Sequence, residues 1–369
     1  MKILVTGAKG FIGKNLIAEL KNKNYNEIFE YDIDSRKEDL DNYCQDCEFV
    51  FHLAGVNRPK DQRDFFEGNF GFTSLLLEKL KLYNNNSPIM LASSIQAILD
   101  NPYGHSKKAG EDLLFEYGEN TGSKILIYRF PNVFGKWCKP NYNSAVVTFA
   151  HNIANGLPIS LNDPNIKMNL IYIDDVVNEL IRALYGKENK QDQFCYVDPV
   201  YTITLGEIVE LLYIFRNSRN DRSIPRTDQA FVKKLYSTYL SYLPKSEFVY
   251  DLKMNVDNRG SFTEFIKTID RGQVSINISN PGIVKGNHWH NTKNEKFLVV
   301  SGKGIIRLRK VNEIDVIEYY VSGDKLQVVE IPPGYTHNIE NIGDTKMVTV
   351  IWVNEMFEIE NPDTIYLEV

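Results

Sequence analysis

Residues 2–20 read KILVTGAKGFIGKNLIAEL, a short apolar run followed by a glycine-rich turn and an amphipathic helical pattern. Within the turn, Gly7, Gly10 and Gly13 are spaced as G-x-x-G-x-x-G. Glycine at these positions permits a tight turn and lets backbone N–H groups approach a pyrophosphate at the start of the helix. The stretch therefore predicts the first strand, turn and helix of a doubly wound, parallel α/β sheet that binds a dinucleotide.

Three further segments extend this prediction to a cofactor crevice. The next strand, EIFEYD, ends at Asp32, and the runs FVFHLAG and IMLASS end at Gly55 and Ser94. Ligands of such sheets bind at the carboxyl ends of the strands, so these ends should line the same crevice. Around the dinucleotide we also expect Lys9, Phe11, Ile12, Arg36, Leu53 and Ala54.

The choice between the two nicotinamide cofactors depends on charge. The carboxylate of Asp32 would repel the 2′-phosphate of NADPH and favour NADH. Lys9, Ser35 and Arg36 are close to it in sequence or in the predicted turn, and they could instead bind that phosphate. The residues alone therefore leave NADPH and NADH open.

A candidate catalytic set follows in the segment NPYGHSKKAGEDLL. Tyr103 and Lys107 are four residues apart, so they share one face of a predicted helix. An ammonium beside a phenol favours the phenolate, and the tyrosine can then exchange a proton with a carbonyl while hydride moves to or from the cofactor. Ser94 would supply a second hydrogen bond to the same oxygen. We therefore predict that Ser94, Tyr103 and Lys107 catalyse hydride transfer.

The motifs TGAKGFIG, HLAG, SS and YGHSK, in this order, resemble those of the extended short-chain dehydrogenase/reductases, which have a Rossmann-type fold. Most members of that family act on nucleotide-activated sugars. The acidic pair of the family's 4,6-dehydratases is replaced here by Ile95 and Gln96, so ketone reduction is expected and dehydration is not. The resemblance implies that the sugar nucleotide is bound by Asn57, Arg58, Asn132 and Lys136.

A second chemical site is predicted in residues 282–302, GIVKGNHWHNTKNEKFLVVSG. His288 and His290 are two apart, so on a strand they point to the same face. Glu295 opens the next strand-like run, and an antiparallel return would bring its carboxylate to the two imidazoles. His337 is a fourth candidate ligand. Imidazole and carboxylate together suit zinc, iron, manganese or nickel better than calcium or magnesium.

The spacings G-x5-H-x-H-x4-E-x6-G and P-x-G-x2-H-x3-N resemble the two cupin motifs, which implies a small all-β barrel around the metal. A reductase followed by a metal cupin resembles, over essentially the whole chain, a family of bifunctional, dimeric enzymes of capsular polysaccharide synthesis. By this resemblance the cupin, with zinc, epimerises C3 of UDP-2-acetamido-2,6-dideoxy-4-hexulose. The reductase then reduces the C4 ketone with NADPH to UDP-2-acetamido-2,6-dideoxy-L-talose, on the route to UDP-N-acetyl-L-fucosamine.

Two other functions stay open from the sequence. One is an NAD(P)H-dependent nucleotide-sugar ketoreductase whose cupin is a structural, dimerising module. The other is a nucleotide-sugar sensor without turnover, against which the intact serine, tyrosine and lysine set argues. Epimerisation beside a ketone also requires a base to remove and return a proton, and the candidates are Glu264, Lys285, Lys296, Tyr335 and a metal-bound hydroxide.

Length and composition set the remaining expectations. At 369 residues the chain is too long for one typical core, and the helical pattern ends at Pro244, so we expect domains at 1–243 and 244–369. A net charge of −6 argues against nucleic acid or a membrane surface as a partner. No signal-peptide pattern or spanning apolar run is present, which indicates a cytoplasmic protein with reduced cysteines.

Overall fold

The computed structural model describes residues 1–59, 61–356, 360 and 362–369. The chain forms two compact units. The first consists of Met1–Tyr213 with Thr227–Pro244, and the second consists of Ile214–Arg226 with Lys245–Val369. These units differ from the expected domains mainly because Ile214–Arg226 belongs to the second unit. The units are compact groups of residues, and the domain limits 1–243 and 244–369 stay a prediction.

The first unit contains parallel strands and the helices that connect them. Its strands are β1 (Ile3–Thr6), β2 (Ile28–Tyr31), β3 (Phe49–His52), β4 (Ile89–Ser94), β5 (Ile125–Phe130), β6 (Asn132–Phe134), β7 (Lys167–Tyr172), β8 (Lys190–Gln191), β9 (Phe194–Cys195) and β10 (Tyr201–Thr204). The helices that begin in this unit are α1 (Phe11–Asn22), α2 (Lys37–Asp46), α3 (Arg63–Phe66), α4 (Phe72–Leu82), α5 (Pro102–Thr121), α6 (Ala145–Ala154), α7 (Ile173–Leu184), α8 (Leu205–Asp221) and α9 (Ala230–Leu240).

The larger sheet of this unit has the strand order β2-β1-β3-β4-β5-β9-β8, and its neighbouring strands are parallel except for β8 and β9. The chain leaves β1 for β2 on one side and then returns to β3 on the other side. The order therefore reverses between β1 and β3, and ligands of open α/β sheets bind outside the carboxyl ends of strands at such a point. A smaller sheet has the order β10-β7-β6.

Helices cover the faces of the larger sheet, as a parallel sheet requires. Every residue of β1 and β3 is buried. Cys44 and Cys47 pack in the same apolar core, and burial raises the pKa of both thiols to about 12. A thiol with so high a pKa holds its proton at neutral pH, so we interpret these two cysteines as residues of the hydrophobic core and not as a reactive site.

The second unit is formed by antiparallel strands in two sheets. The strands are β11 (Met254–Asp257), β12 (Gly260–Thr268), β13 (Gly272–Ser279), β14 (Val284–Trp289), β15 (Glu295–Ser301), β16 (Lys303–Lys310), β17 (Val316–Ser322), β18 (Val328–Ile331), β19 (Tyr335–Asn341), β20 (Met347–Val353) and β21 (Ile365–Tyr366). One sheet has the order β11-β12-β13-β20-β15-β18 and the other has the order β17-β16-β19-β14-β21.

β13 buries polar side chains. Gln273, Ser275, Asn277 and Ser279 are its buried residues, whereas the alternate positions are apolar and only half-buried. Gln273 pairs with Val353 of β20, which in turn pairs with Glu295 of β15. Directly paired residues of antiparallel strands point to the same side of a sheet, so the polar side of β13 is also the side of Glu295.

The predicted fold class is confirmed: a Rossmann-type, parallel α/β sheet is followed by an antiparallel all-β domain. The helical pattern expected to end at Pro244 contains α8 and α9, separated by a connection that includes residues of the second unit. In the parts of the chain that the structure describes, no helix has both the length and the apolar composition to cross a membrane.

Candidate functional sites

A cavity of about 790 Å³ lies in the first unit where β1, β3 and β4 end. Of the cofactor, catalytic and substrate residues expected from sequence, Asp32, Arg36, Ala54 and Lys136 are not among its lining residues. Those that line the cavity are Gly7, Lys9, Gly10, Phe11, Ile12, Gly13, Leu53, Gly55, Asn57, Arg58, Ser94, Tyr103, Lys107 and Asn132. The cavity therefore joins the predicted dinucleotide turn to the predicted catalytic set.

The glycine-rich turn is held so close to other backbone that side chains would not fit. Gly7 has a φ of +69°, and a Cβ at this position would lie 2.7 Å from the backbone nitrogen of Ala54. A Cβ at Gly13 would lie 2.2 Å from the carbonyl oxygen of Gly7. α1 begins at Phe11 directly after the turn, so its unpaired N–H groups are available to a phosphate.

The predicted catalytic residues converge at the end of β4 and the start of α5. Asn101 caps α5 through its side-chain oxygen, which accepts a hydrogen bond from the first turn at 2.8 Å. One turn into the helix, Lys107 is buried, and its Nζ donates to the carbonyl oxygen of Ala92 at 3.1 Å. Tyr103 and Ser94 line the cavity on the same side.

Burial shifts the pKa of both titratable groups of this set. The pKa of Tyr103 is raised, so the phenolate expected from its spacing to Lys107 is not favoured in this structure. Burial lowers the pKa of the Lys107 ammonium to about 8, while the carboxylate of Glu111 acts to raise it. Burial raises the pKa of Tyr103, and its hydrogen-bond interaction with the hydroxyl of Ser94 acts in the opposite direction. At neutral pH Lys107 is therefore mostly protonated, while Tyr103 keeps a proton that it can donate.

Glu111 is a buried residue of this site that the sequence analysis did not identify. Its carboxylate accepts hydrogen bonds from Oγ of Ser93 at 2.6 Å and from Nε of Arg129 at 2.9 Å. It follows Lys107 by one further helical turn on the same face of α5, and this i, i+4 spacing was the available signal. Glu111 thus connects the lysine's helix to the end of β4.

A buried histidine joins three elements behind the crevice. His52 Nδ1 lies 2.8 Å from Oγ1 of Thr6, and Nε2 lies 2.8 Å from Oγ1 of Thr73. The Thr73 hydroxyl donates its own proton to the carbonyl oxygen of Asn69, so it accepts Nε2–H of His52, and Nδ1 accepts a hydrogen bond from the Thr6 hydroxyl. Burial lowers the pKa of His52 to about 3, which keeps this ring neutral.

Asn69 holds the loop after β3 against the catalytic helix. Its Oδ1 accepts the N–H of Val56 at 2.9 Å, and its Nδ2 donates to the carbonyl oxygen of Val56 at 3.0 Å and to Oγ of Ser106 at 2.9 Å. A Cβ at Gly55 would lie 2.9 Å from Nζ of Lys107. The loop therefore needs glycine here, and Asn69 was not identified from sequence.

Asp32 and its neighbours form a network outside the cavity lining. One carboxylate oxygen of Asp32 accepts the backbone N–H of Lys9 at 2.7 Å, and the other accepts the N–H of Ile33 at 2.8 Å. The Lys9 ammonium is paired with Asp34, and the guanidinium of Arg36 is paired with Asp39 at 2.6 Å. Both cations considered for a 2′-phosphate thus already have carboxylate partners.

At the predicted substrate end, Asn57, Arg58 and Asn132 line the cavity, while the ammonium of Lys136 is paired with Asp174. Trp137 lines the cavity in its place and has a φ of +67°. The segment that follows Lys136 therefore lines the cavity, although Lys136 itself does not.

The four predicted metal ligands meet in the second unit. One ligand atom from each of His288, His290, Glu295 and His337 can be chosen so that all four lie within 4.8 Å of one another. His288 and His337 are directly paired between β14 and β19. The Oε2 atom of Glu295 lies 3.1 Å from Nε2 of His337 and 3.7 Å from Nε2 of His290.

Three of these ligand atoms are buried without a hydrogen-bond partner, namely Nε2 of His290, Oε2 of Glu295 and Nε2 of His337. Burial lowers the pKa of His288 to about 4, and the adjacent ring of His337 adds to this effect. Three imidazoles and one carboxylate thus offer nitrogen and oxygen ligand atoms, with one negative charge, at a common point. This donor set fits a divalent transition metal such as zinc.

A short segment near residue 363 contacts these ligands, and the sequence analysis did not identify it. Nδ1 of His290 donates to the backbone carbonyl oxygen of Asp363. The carboxylate of Asp363 accepts N–H groups of the turn between His290 and Glu295. No local motif marks this residue, since it is 73 residues from His290 in sequence.

The candidate bases for proton transfer are in different settings. Glu264 is ion-paired with Arg222 at 2.7 Å and with Lys267 at 3.0 Å. The ammonium of Lys285 donates to Oδ1 of Asn277 at 2.8 Å. Lys296 is paired with Glu330 and lies on the side of β15 opposite to Glu295. Tyr335 packs against the apolar core of the unit.

Comparison with known proteins identifies the class. Residues 3–196 match the NAD dependent epimerase/dehydratase family, and residues 255–365 match the polysaccharide biosynthesis C-terminal domain. The chain therefore belongs to the NAD dependent epimerase/dehydratase family, and membership implies a nicotinamide cofactor.

The whole chain is similar to proteins of capsule assembly, which confirms the resemblance expected from the sequence. The capsular polysaccharide assembling protein CapF from Staphylococcus aureus is 57% identical, with a TM-score of 0.95 over 100% of both chains. A CapF structure with the inhibitor 3-isopropenyl-tropolone is 53% identical, with a TM-score of 0.91 and the same coverage. A UDP-2-acetamido-2,6-beta-L-arabino-hexul-4-ose reductase from Pseudomonas aeruginosa is 44% identical over 364 residues, which is 99% of this chain and 98% of the relative.

Proposed function

We propose that the chain is a bifunctional nucleotide-sugar enzyme. The first unit reduces the C4 ketone of a UDP-2-acetamido-2,6-dideoxy-4-hexulose with NADPH, and the second unit epimerises C3 of the same sugar. The product is UDP-2-acetamido-2,6-dideoxy-L-talose, on the way to UDP-N-acetyl-L-fucosamine for capsular polysaccharide. The observation that carries the proposal is one cavity that holds the glycine-rich turn together with Ser94, Tyr103 and Lys107. The name of the Pseudomonas aeruginosa relative, a reductase of a 4-ketosugar, supports the substrate class.

In the reductase, bound NADPH supplies hydride to the ketone carbon. The phenol of Tyr103 gives its proton to the oxygen that becomes the new hydroxyl. The hydroxyl of Ser94 donates a hydrogen bond to that oxygen and orients the ketone. The ammonium of Lys107, held by the carbonyl of Ala92, stabilises the phenolate left on Tyr103.

For the epimerase, the supporting observation is the set of buried, unpartnered ligand atoms on His290, Glu295 and His337. His288, His290, Glu295 and His337 would hold a divalent ion, zinc in our proposal, which would supply a Lewis acid for proton removal next to a ketone. Burial disfavours a proton on His288 and shields the ligand atoms of the other three residues from solvent. Glu264 and Lys285 are candidates for the base, because Glu264 is paired with Ser275 and Lys285 donates to Asn277, both on the buried polar side of β13.

The proposed cofactor is NADPH, with NADH as the second candidate. Both carboxylate oxygens of Asp32 accept backbone N–H groups, which offsets part of its repulsion of a 2′-phosphate. Lys9 lines the cavity, and its ammonium would exchange Asp34 for the phosphate. A cytoplasmic homodimer is also proposed, and this rests on the resemblance to the capsular polysaccharide enzymes.

The deciding experiment is proton NMR of the 4-ketosugar in D2O with zinc-loaded protein and no cofactor. We expect the C3 proton to be replaced by deuterium at a rate that depends on protein concentration. Addition of NADPH should then give a reduced sugar and oxidised cofactor in equal amounts.

Two histidine variants separate the metal site from a general effect. His288→Ala should abolish C3 exchange, while His105→Ala, at an exposed histidine paired with Asp100, should leave it intact. Exchange that persists in His288→Ala would remove the epimerase and leave the ketoreductase. Absence of both exchange and cofactor oxidation in the wild type would overturn the proposal as a whole.

A further inference from the structure

The segment 362–369 lies along the strand that carries His288 and ends one residue before His290. Its strand β21 pairs with β14, with Tyr366 opposite His288 and Ile365 opposite Trp289. The N–H of Leu367 then donates to the carbonyl oxygen of Asn287 at 3.0 Å. This segment therefore forms one edge of the metal cluster.

The carboxylate of Asp363 organises the turn that connects two ligands. It accepts the backbone N–H groups of Asn291 at 2.9 Å, Thr292 at 2.8 Å and Lys293 at 3.0 Å. These three consecutive residues follow His290 directly, and only Asn294 separates them from Glu295. A single side chain thus fixes the path of the chain from one ligand toward the next.

The backbone of the same residue determines the tautomer of His290. A carbonyl oxygen can only accept a hydrogen bond, so the contact between Nδ1 of His290 and the carbonyl of Asp363 places a proton on Nδ1. A neutral ring then has its lone pair on Nε2, the atom 3.7 Å from Oε2 of Glu295. The side-chain contacts and the backbone contact of Asp363 therefore act on the same two ligands.

We propose that Asp363 is a positioning residue of the metal centre. It holds the proton on Nδ1 of His290 and the turn to Glu295 in place, so that both ligands are arranged for the metal before the metal binds. The consequence is a higher affinity and a slower release of the ion. This inference rests on the proposed metal site but does not depend on the epimerase reaction.

The test compares Asp363→Ala with a matched control in the same unit. Asp257→Ala removes a carboxylate that also accepts a turn N–H, from Arg259 at 2.9 Å, in the hairpin between β11 and β12. Zinc affinity is measured by competition with a chromogenic chelator, and release is followed after rapid mixing with excess chelator. We expect Asp363→Ala to lower affinity roughly 10- to 100-fold and to speed release, as removal of outer-sphere partners of metal ligands does. Asp257→Ala should change neither.

A second measurement reports on the histidine directly and needs no substitution. In 15N-labelled wild type, the long-range 15N–1H spectrum of the histidine rings should show His290 protonated on Nδ1 both before and after zinc is added. Asp363→Ala keeps the backbone carbonyl but loses the side-chain hydrogen bonds that hold it beside His290, so it should give a mixture of tautomers for this ring in the metal-free protein. Asp363→Asn, which keeps one acceptor oxygen, should show a smaller effect.

The outcomes separate this inference from the proposed metal site. Wild-type protein that binds no transition metal would remove the site itself. Wild-type protein that binds zinc, together with unchanged affinity and release in Asp363→Ala, would overturn the role of Asp363 alone. If Asp363→Ala does not fold, the wild-type spectrum decides, because a proton on Nε2 of His290 in the metal-free protein contradicts the proposal.

Discussion

The Nε2 atom of His337 lies 3.1 Å from the Oε2 atom of Glu295, and in the described part of the chain neither atom has a hydrogen-bond partner. Burial raises the pKa of Glu295, but the neighbouring rings of His290 and His337 lower it by more, so that the net pKa lies below its usual range. The carboxylate is therefore ionised in a buried place. Such a charge requires a nearby cation, which a divalent metal ion would provide.

Glu295→Gln should remove this requirement and, with it, tight metal binding. An amide keeps the size of the side chain but loses the only negative charge among the four ligands. We expect zinc affinity to fall at least roughly 100-fold, which is about 2.8 kcal/mol. Metal content after dialysis, by mass spectrometry, gives the result. Glu330→Gln, an exposed carboxyl of β18 paired with Lys296, is the control and should keep its metal.

Tyr103→Phe should stop hydride transfer while the second unit stays active. The substitution removes the proton donor and changes nothing else in the cavity, so cofactor oxidation should fall about 10²- to 10⁴-fold. C3 exchange in D2O should continue at the wild-type rate. Tyr117→Phe on the same helix, whose hydroxyl donates to Asn85 at 3.2 Å, serves as the control. Parallel loss of both activities would argue against two separate sites.

The pH dependence of reduction should follow the ammonium of Lys107. Its pKa is lowered to about 8, so the proton is present below this pH and is lost as pH rises through it. We expect kcat/KM for the cofactor, which reports on the free enzyme, to decline above about pH 8. Because Glu111 raises the pKa of Lys107, Glu111→Gln should move the decline to lower pH.

The control for the pH profile is Lys108→Met. Lys108 is the next residue of α5 and pairs with Asp112 on the surface. Its removal should leave the midpoint unchanged. A Glu111→Gln profile with the same midpoint and only a lower plateau would mean that Glu111 acts through stability and not through charge.

Asp32→Asn should shift the preference between the two cofactors. The amide oxygen can still accept one backbone N–H, but the negative charge that repels a 2′-phosphate is gone. We expect the ratio of kcat/KM for NADPH to that for NADH to rise about tenfold, a difference of about 1.4 kcal/mol. Asp39→Asn is a second variant, since it removes the carboxylate that pairs with Arg36 and leaves the guanidinium available to a phosphate. If the NADPH to NADH ratio is unchanged in both variants, the residues after β2 do not determine the cofactor preference.

The parts of the two sites that are local in sequence could be predicted, and the parts that depend on long-range packing could not. Gly7 to Gly13, Tyr103 with Lys107, and His288 with His290 lie within one turn, helix or strand, so their spacing already implies a shared face. Their chemistry is also distinctive, since few other roles require these residue types at these spacings.

Asp363 and Asn69 show why the remainder was missed. Each acts through atoms brought near by the fold: Asp363 reaches His290 across 73 positions, and Asn69 reaches Ser106 across 37. Glu111 differs from them, since its i, i+4 spacing to Lys107 was a signal in the sequence. Lys136 shows a limit of family resemblance. The segment that follows this residue lines the cavity as expected, but the Lys136 side chain is paired with Asp174 instead. Spacing predicts which residues share an element, but not which distant carbonyl or carboxylate will meet them.

The polar side chains that β13 buries affect how this strand finds its native register between β12 and β20. A shift of this strand by one residue would turn Val274, Ile276 and Ile278 inward and place Gln273 outward. Burial of apolar side chains alone would favour this shifted register. The strand's own hydrophobic pattern and the native register are therefore in conflict, a local frustration in an otherwise alternating sheet. The flanking strands β12 and β20, which bury their own residues in the observed pairing, are what select the alignment that turns these polar side chains to the side of Glu295.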